Sequence, residues 1–211
     1  MRNIILVIIV LMSLTTPAAS TSVDVVPRID KIHALDEFTV DINITPDTHI
    51  AGYQFNLEVT NADIISVTEG DFLKQYGYNT FFNPGIVNAN KLINHFSVVM
   101  GNISNQTAIP MSNGTTITVV FKAKDVSNIK SDIKLSNVKL ANRYGLSVPY
   151  ILNNGSVTIR PKVDLNLDGA VDILDLVFVS QYFGEENLES DFDHSGIVDI
   201  LDLVYVAMRI G

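Results

Sequence analysis

The sequence predicts two folded modules: an all-β sandwich, then a small α module built from a repeated loop–helix unit. Three observations predict this. Between residues 23 and 159 the apolar residues recur with a period of two, the signature of strands with one buried face. Residues 164–184 and 191–211 align without a gap at an offset of 27, with 11 of 21 positions identical, which marks an internal duplication. The charge divides at the same place. Residues 1–161 carry 12 acidic and 12 basic side chains, whereas 162–211 carry 11 acidic and 2 basic and hold the whole net charge of −9.

Residues 1–20 read as a secretory signal peptide. Arg2 precedes an apolar run over 4–14 that only Ser13 interrupts, and the small residues Ala18, Ala19 and Ser20 follow Pro17. The run is shorter than the ~20 residues that span a bilayer. Cleavage is expected after Ala19 or Ser20, leaving a secreted, extracellular or cell-surface-associated protein with no stable membrane span. Five N-x-S/T triplets agree with export and make Asn43, Asn102, Asn105, Asn113 and Asn154 candidates for glycosylation. Five is only a mild excess over what composition gives, so ordinary Asn-rich surface competes with this reading at each site. With no Cys in 211 residues, disulfides, zinc–thiolate sites, Fe–S clusters and Cys nucleophiles are excluded. An exported fold of this kind holds by core packing, with or without metal. The neutral body offers no basic patch, which argues against nucleic acid as a partner.

Residues 21–160 form the predicted sandwich. Residues 38–44 (FTVDINI) and 51–59 (AGYQFNLEV) alternate apolar with polar, and further runs lie at 64–67, 92–100, 116–123, 133–140 and 156–159. Turn residues separate them: Pro46 and Asp47, Gly70 and Asp71, Asn83 to Gly85, Asn113 and Gly114, Asn154 and Gly155. Short strands, regular turns and no long helical pattern point to an antiparallel sandwich.

Several segments of this body also resemble the cohesin family: 50–57 (IAGYQFNL), 67–73 (VTEGDFL), 80–82 (TFF), 114–124 (GTTITVVFKAK), 135–140 (LSNVKL) and 154–159 (NGSVTI). No one of them is specific; their order and spacing are. The resemblance implies an all-β jelly-roll sandwich of about nine strands that binds dockerin modules through an outer sheet face. Gln54 and Asn56, on the outward side of their strand, are the candidate contacts. The competing reading is an unrelated secreted sandwich that binds carbohydrate, with Tyr76 and Tyr78 as its only suggestive aromatics.

The acidic end carries two loops with calcium-ligand spacing. Calcium takes 6–8 oxygens, and a 12-residue loop supplies them from positions 1, 3, 5, 7, 9 and 12. In the first loop these are Asp164, Asn166, Asp168, Ala170 through its carbonyl, Asp172 through water, and Asp175. In the second they are Asp191, Asp193, Ser195, Ile197 through its carbonyl, Asp199 and Asp202. Gly169 and Gly196 fall at position 6, where the turn needs a left-handed residue. Val171 and Val198 occupy position 8, which in EF-hand loops joins a short pairing between loops. Position 12 is Asp where an EF-hand has a bidentate Glu, and Ser195 is a weak ligand, so the second site is expected to bind less tightly. Two Ca²⁺ ions are the expected cofactors, coupled to folding because each loop packs four carboxylates.

After each loop the period turns helical. Leu176, Val177, Val179 and Phe183 mark one apolar face, Leu203, Val204, Val206 and Ile210 the other, and Gly184 is expected to end the first helix. A loop followed by a single helix, twice, resembles a type I dockerin over residues 162–211, with 161–163 as a short linker. The resemblance implies docking to a cohesin, with loop positions 10 and 11 setting partner choice. These are Ile173 and Leu174 in the first copy and Ile200 and Leu201 in the second. In the competing reading, one member of each pair packs in the small core.

A cohesin-like and a dockerin-like module in one chain define a non-catalytic protein–protein adaptor, with cohesin- and dockerin-bearing partners and an association with polysaccharide. Head-to-tail self-association follows if the two modules are complementary. Folding back is difficult, because residues 160–163 reach at most about 14 Å. The alternative is a carbohydrate-binding sandwich anchored through its dockerin. No arrangement of carboxylates or of Ser, Thr and His suggests an enzyme.

Overall fold

The computed structural model describes residues 20–75, 77–101, 112–126, 128–193 and 195–211. The signal peptide up to residue 19, Tyr76, Asn102 and Asn105 therefore lie outside the described residues. The body is a two-sheet sandwich. One sheet has the order β11–β1–β3–β9–β5, from β1 (Ser22–Pro27), β3 (Glu37–Thr45), β5 (Ala62–Glu69), β9 (Gly114–Ala123) and β11 (Ile151–Asn153). The other runs β2–β12–β10–β4–β8–β6, with β7 also paired to β8. Its strands are β2 (Lys31–His33), β4 (Gly52–Val59), β6 (Thr80–Asn83), β7 (Ile86–Asn88), β8 (Lys91–Val99), β10 (Ile129–Ala141) and β12 (Gly155–Arg160).

The strand count exceeds the nine expected because β2, β7 and β11 are three-residue edge pieces, too short to show a period. Nor is the sandwich wholly antiparallel. β1 pairs β11 and β12 pairs β2 in parallel, since these partners come from distant parts of the chain and need no hairpin between them.

The alternating residues do what their period requires. Phe38, Val40, Ile42 and Ile44 of β3, Tyr53, Phe55, Leu57 and Val59 of β4, and Ile117, Val119 and Phe121 of β9 are buried in one core. Phe38 and Phe121 stack across the β3–β9 pair at 5.2 Å. Two of the bulges sit where Asn takes a left-handed conformation: Asn94 (φ 57°) in β8 and Asn137 (φ 51°) in β10.

The acidic end forms a second, separate core from Val163, Val179, Phe192, Val198 and Val206. Val163, read as linker, is thus part of this core. The helices α1 (Ile173–Ser180) and α2 (Ile200–Ala207) are eight residues each. α1 stops at Gln181, before Gly184, because the chain tightens into i→i−3 bonds at Gln181, Tyr182 and Phe183. The predicted apolar faces are only partly buried. Val179 and Val206 point inward, whereas Val177, Phe183, Val204 and Ile210 are exposed. Two short helices can cover only one narrow stripe each. No helix among the described residues is long and apolar enough to cross a membrane.

Candidate functional site

The duplicated loops are built alike. In the first, Asp164 accepts the N–H groups of Asp168 (3.1 Å) and Gly169 (3.0 Å) on its two oxygens. Asp175 accepts Leu165 N–H on Oδ1 (2.8 Å) and Asp172 N–H on Oδ2 (2.9 Å). In the second loop Asp191 accepts Ser195 and Gly196 (3.1 and 2.8 Å), and Asp202 accepts Phe192 and Asp199 (2.7 and 2.8 Å). Gly169 and Gly196 have φ of 102° and 98°, the left-handed geometry that position 6 needs. Backbone N–H groups thus converge on carboxylates, and the carboxylates converge on one another. Oxygens of Asp191, Asp193 and Asp202 all lie within 4.8 Å of one another.

Asp164, Asp175 and Asp202 are fully buried, and Asp191 is nearly so. Burial raises the pKa of Asp164 above the usual carboxylate value, and the neighbouring Asp175 and Asp168 add to this. Asp168 is lowered by the N–H of Ala170 and the amide of Asn166, with help from the charges of Lys31 and Arg160. Ser195 departs from its partner in the first loop. Its hydroxyl donates to the carbonyl of Ile197 at 3.0 Å, joining two of the expected ligand oxygens to each other.

Two features escaped the sequence reading. Asp172 and Asp199 are also helix N-caps, accepting Leu174 and Leu201 N–H at 2.7 Å, and each forms a reciprocal capping box with Asp175 or Asp202. The D-x-x-D spacing before an apolar run was the available signal. The position-8 pairing is also exchanged between repeats and their ends. Val198 O receives Gly184 N–H (2.8 Å) and Val171 O receives Gly211 N–H (3.4 Å).

Ile173, Leu174, Ile200 and Leu201 are 58%, 56%, 59% and 58% exposed, so neither member of either pair enters the small core. Between the helices lies an open apolar groove of about 450 Å³ lined by Leu176, Val177, Ile200, Leu203 and Val204.

On the sandwich, Gln54 and Asn56 do lie on the outward side of β4. Asn56 is partly engaged, since its side-chain Oδ1 accepts Asn94 N–H at the β8 bulge (2.9 Å). Cross-strand register sets Phe96 beside Gln54 and Val98 beside Gly52, with Phe81 beside Val98 on β6. Phe81 and Phe96 are in ring contact at 5.8 Å, and Phe81 is half exposed. This apolar patch beside the two predicted polar residues was hidden because its parts come from three separate segments. Tyr78 is no platform; it packs partly buried against the core. Among the sequons described, Asn43 accepts a bond from Thr115 and Asn154 from Leu135 N–H. Asn113 lies at an exposed turn.

The sandwich has the fold of cohesin domains. A type II cohesin from the cellulosome of Acetivibrio cellulolyticus aligns at TM-score 0.54 and 18% identity over 72% of this chain and 98% of its own. A type I cohesin from Pseudobacteroides cellulosolvens aligns at 0.51 and 20%, over 67% and 93%. A cohesin from a type I cohesin–dockerin complex of Clostridium thermocellum aligns at 0.52 and 13%, over 69% and 97%. No protein-family model and no curated protein matches the chain.

Proposed function

We propose that this chain is a non-catalytic, secreted adaptor. Its dockerin-like repeats dock on a cohesin of another protein through the α1–α2 face. Its cohesin-like sandwich receives another dockerin on the outer face of β4, β8 and β6. The observation that carries the reading is exposed apolar surface on both helices: Ile173, Leu174, Ile200 and Leu201 are each more than half exposed, and Ile200 also lines the groove between α1 and α2 with Leu176, Val177, Leu203 and Val204. Large exposed apolar surface of this kind marks interaction sites. The cohesin fold of the body supports it, as does the fact that a structural neighbour is a cohesin in complex with a dockerin.

The donor set of each loop fits a calcium ion. Carboxylates, the Asn166 amide, the Ser195 hydroxyl and two backbone carbonyls offer oxygen only, the choice of a hard cation. Asp164, Asn166, Asp168, Ala170, Asp172 and Asp175 would hold one ion, and Asp191, Asp193, Ser195, Ile197, Asp199 and Asp202 the other. When bound, each ion offsets the repulsion among four carboxylates. The protein's part is to hold those oxygens on a backbone that the buried Asp164, Asp175 and Asp202 already brace.

Binding of the full chain to a panel of immobilised cohesins, in calcium and then in chelator, tests the reading. Calcium-dependent capture that is lost when Ile173, Leu174, Ile200 and Leu201 are all replaced by Asp is the expected result. Capture that survives those changes overturns it. Light scattering of the chain alone in calcium tests head-to-tail assembly. Glycan-array binding would instead favour a carbohydrate-binding sandwich, a reading that the contact of half-exposed Phe81 with partly buried Phe96 supports.

A further inference from the structure

The two loops are chemically similar but differently placed. Three backbone carbonyls of the first loop are taken by side chains of the sandwich. His33 Nε2 donates to Asp164 O (2.7 Å), Lys31 Nζ to Leu167 O (2.7 Å), and Asn128 Nδ2 to Gly169 O (3.1 Å). Because a carbonyl only accepts, His33 is protonated on Nε2 in this contact. Asn128 is in turn oriented by Arg160, whose Nη1 donates to Asn128 Oδ1 at 2.9 Å.

Sheet topology brings these four residues together. Lys31 and His33 lie on β2, Arg160 ends β12, and Asn128 immediately precedes β10, and these are three adjacent strands at one edge of the seven-stranded sheet. The register sets Arg160 directly opposite His33. A Cβ added at Gly169 would lie 2.4 Å from Arg160 Nη1, whereas one at Gly196, the same position of the second loop, would meet nothing within 4 Å.

We infer that the sandwich edge is a docking surface for the first loop, so that calcium in this loop locks the two modules into one body, while calcium in the second loop shapes only the repeats. The inference rests on the calcium reading above. The physical reason is geometric. His33, Lys31 and Asn128 reach three carbonyls spread over six residues of the loop, and they meet all three only while that backbone holds its closed turn. Without an ion the loop carboxylates repel one another, the turn opens, and the carbonyls leave the strand ends. Lys31 and Arg160 also place positive charge against the loop, where it attracts the empty carboxylates but does not bring them together as a chelated cation does.

Spin-label distance measurements on the full chain test this. The chain has no Cys, so Asn79→Cys on the sandwich and Gln181→Cys at the end of α1, in the first repeat, supply the only two thiols. Calcium titration by calorimetry is run on the same proteins. The expected result is two calcium ions bound, a single narrow inter-module distance in calcium, and a broad distribution in chelator. Asp168→Ala should broaden the distribution in calcium, and Asp193→Ala should leave it narrow. Lys31→Ala with Asn128→Ala changes no ligand, so this variant should still bind two ions, keep the melting temperature of the sandwich, and show the broad distribution. Two ions bound with no change in the distribution, or equal broadening by the two loop variants, overturns the inference alone. No heat of calcium binding in the unmodified chain overturns both the inference and the calcium reading.

Discussion

The backbone N–H of Gly184 donates to the carbonyl of Val198 at 2.8 Å, tying the end of the first helix to the second loop. Gly211 and Val171 make the reciprocal bond at 3.4 Å. Each repeat therefore closes on the other, and neither has a complete set of partners alone. Gly184 makes its bond from a left-handed conformation, φ 86°. Gly184→Ala is expected to destabilise the repeats by about 1 kcal/mol, since a Cβ is strained there although no atom lies within 4 Å of it. Thermal loss of the helical circular-dichroism signal measures this, and an unchanged midpoint contradicts it.

Removal of calcium should melt the repeats and spare the sandwich. The two hydrophobic cores are separate, and only the smaller depends on loops with crowded carboxylates. Chelator is expected to abolish the helical signal while the strand signal persists. Calorimetry should resolve two sites, the weaker one tightened by Ser195→Asp. Two sites of unchanged affinity in that variant would remove Ser195 as the cause of the difference.

Asp199 serves as helix cap and as expected ligand, and two substitutions separate these roles. Asp199→Asn keeps an N-cap oxygen and removes the charge; Asp199→Ala removes both. The Ala variant should lose about 1 kcal/mol of helix stability relative to Asn. Both should bind calcium more weakly at the second loop. Equal helix stability of the two variants argues that the cap observed at Leu201 N–H contributes nothing.

His95 gives the sandwich an acid sensitivity. Its ring is buried against Phe55 and Phe82, and Nδ1–H donates to Asn83 O at 2.7 Å. Burial pushes its pKa down to about 4, against partial opposition from the Asn83 and Pro84 carbonyls and Glu69. A folded-state pKa below the unfolded value of ~6.5 means that the unfolded chain binds the proton more readily. Stability is therefore complete above about pH 6.5 and falls as the pH drops toward 4, by about 3 kcal/mol in all. His95→Phe should lose correspondingly less stability between pH 7 and 4.5 in chemical denaturation. Parallel pH profiles for the two proteins would rule the group out.

The two helix pairs should be interchangeable. Ile173 and Leu174 repeat as Ile200 and Leu201, and all four are nearly equally exposed. If a partner can seat in either of two orientations related by a half-turn, Asp substitutions in one pair cost little and in both pairs abolish binding. A large loss of cohesin affinity from Ile173→Asp with Leu174→Asp alone argues for a single orientation.

The sequence by itself determined the periods, the duplication and the donor types. Period two in β3, β4 and β9 fixes which residues are buried, because alternate side chains of a strand cannot share a face. Short-range spacing places Gly169 and Gly196 at the left-handed turn and sets carboxylates at four of the six ligand positions of each loop. Tertiary structure decided what depends on residues distant in the chain. It assembled Phe81, Phe96 and Val98 beside Gln54, left Phe183 exposed, and exchanged the Val171 and Val198 pairings between repeats. Most consequentially, it set His33, Lys31 and Asn128 against the first loop and not the second. The two loops share 7 of 12 residues, and nothing in their local sequence says which of them meets the sandwich. Their difference arises because strand pairing in the sheet brings three separate strand ends to the one loop that follows β12.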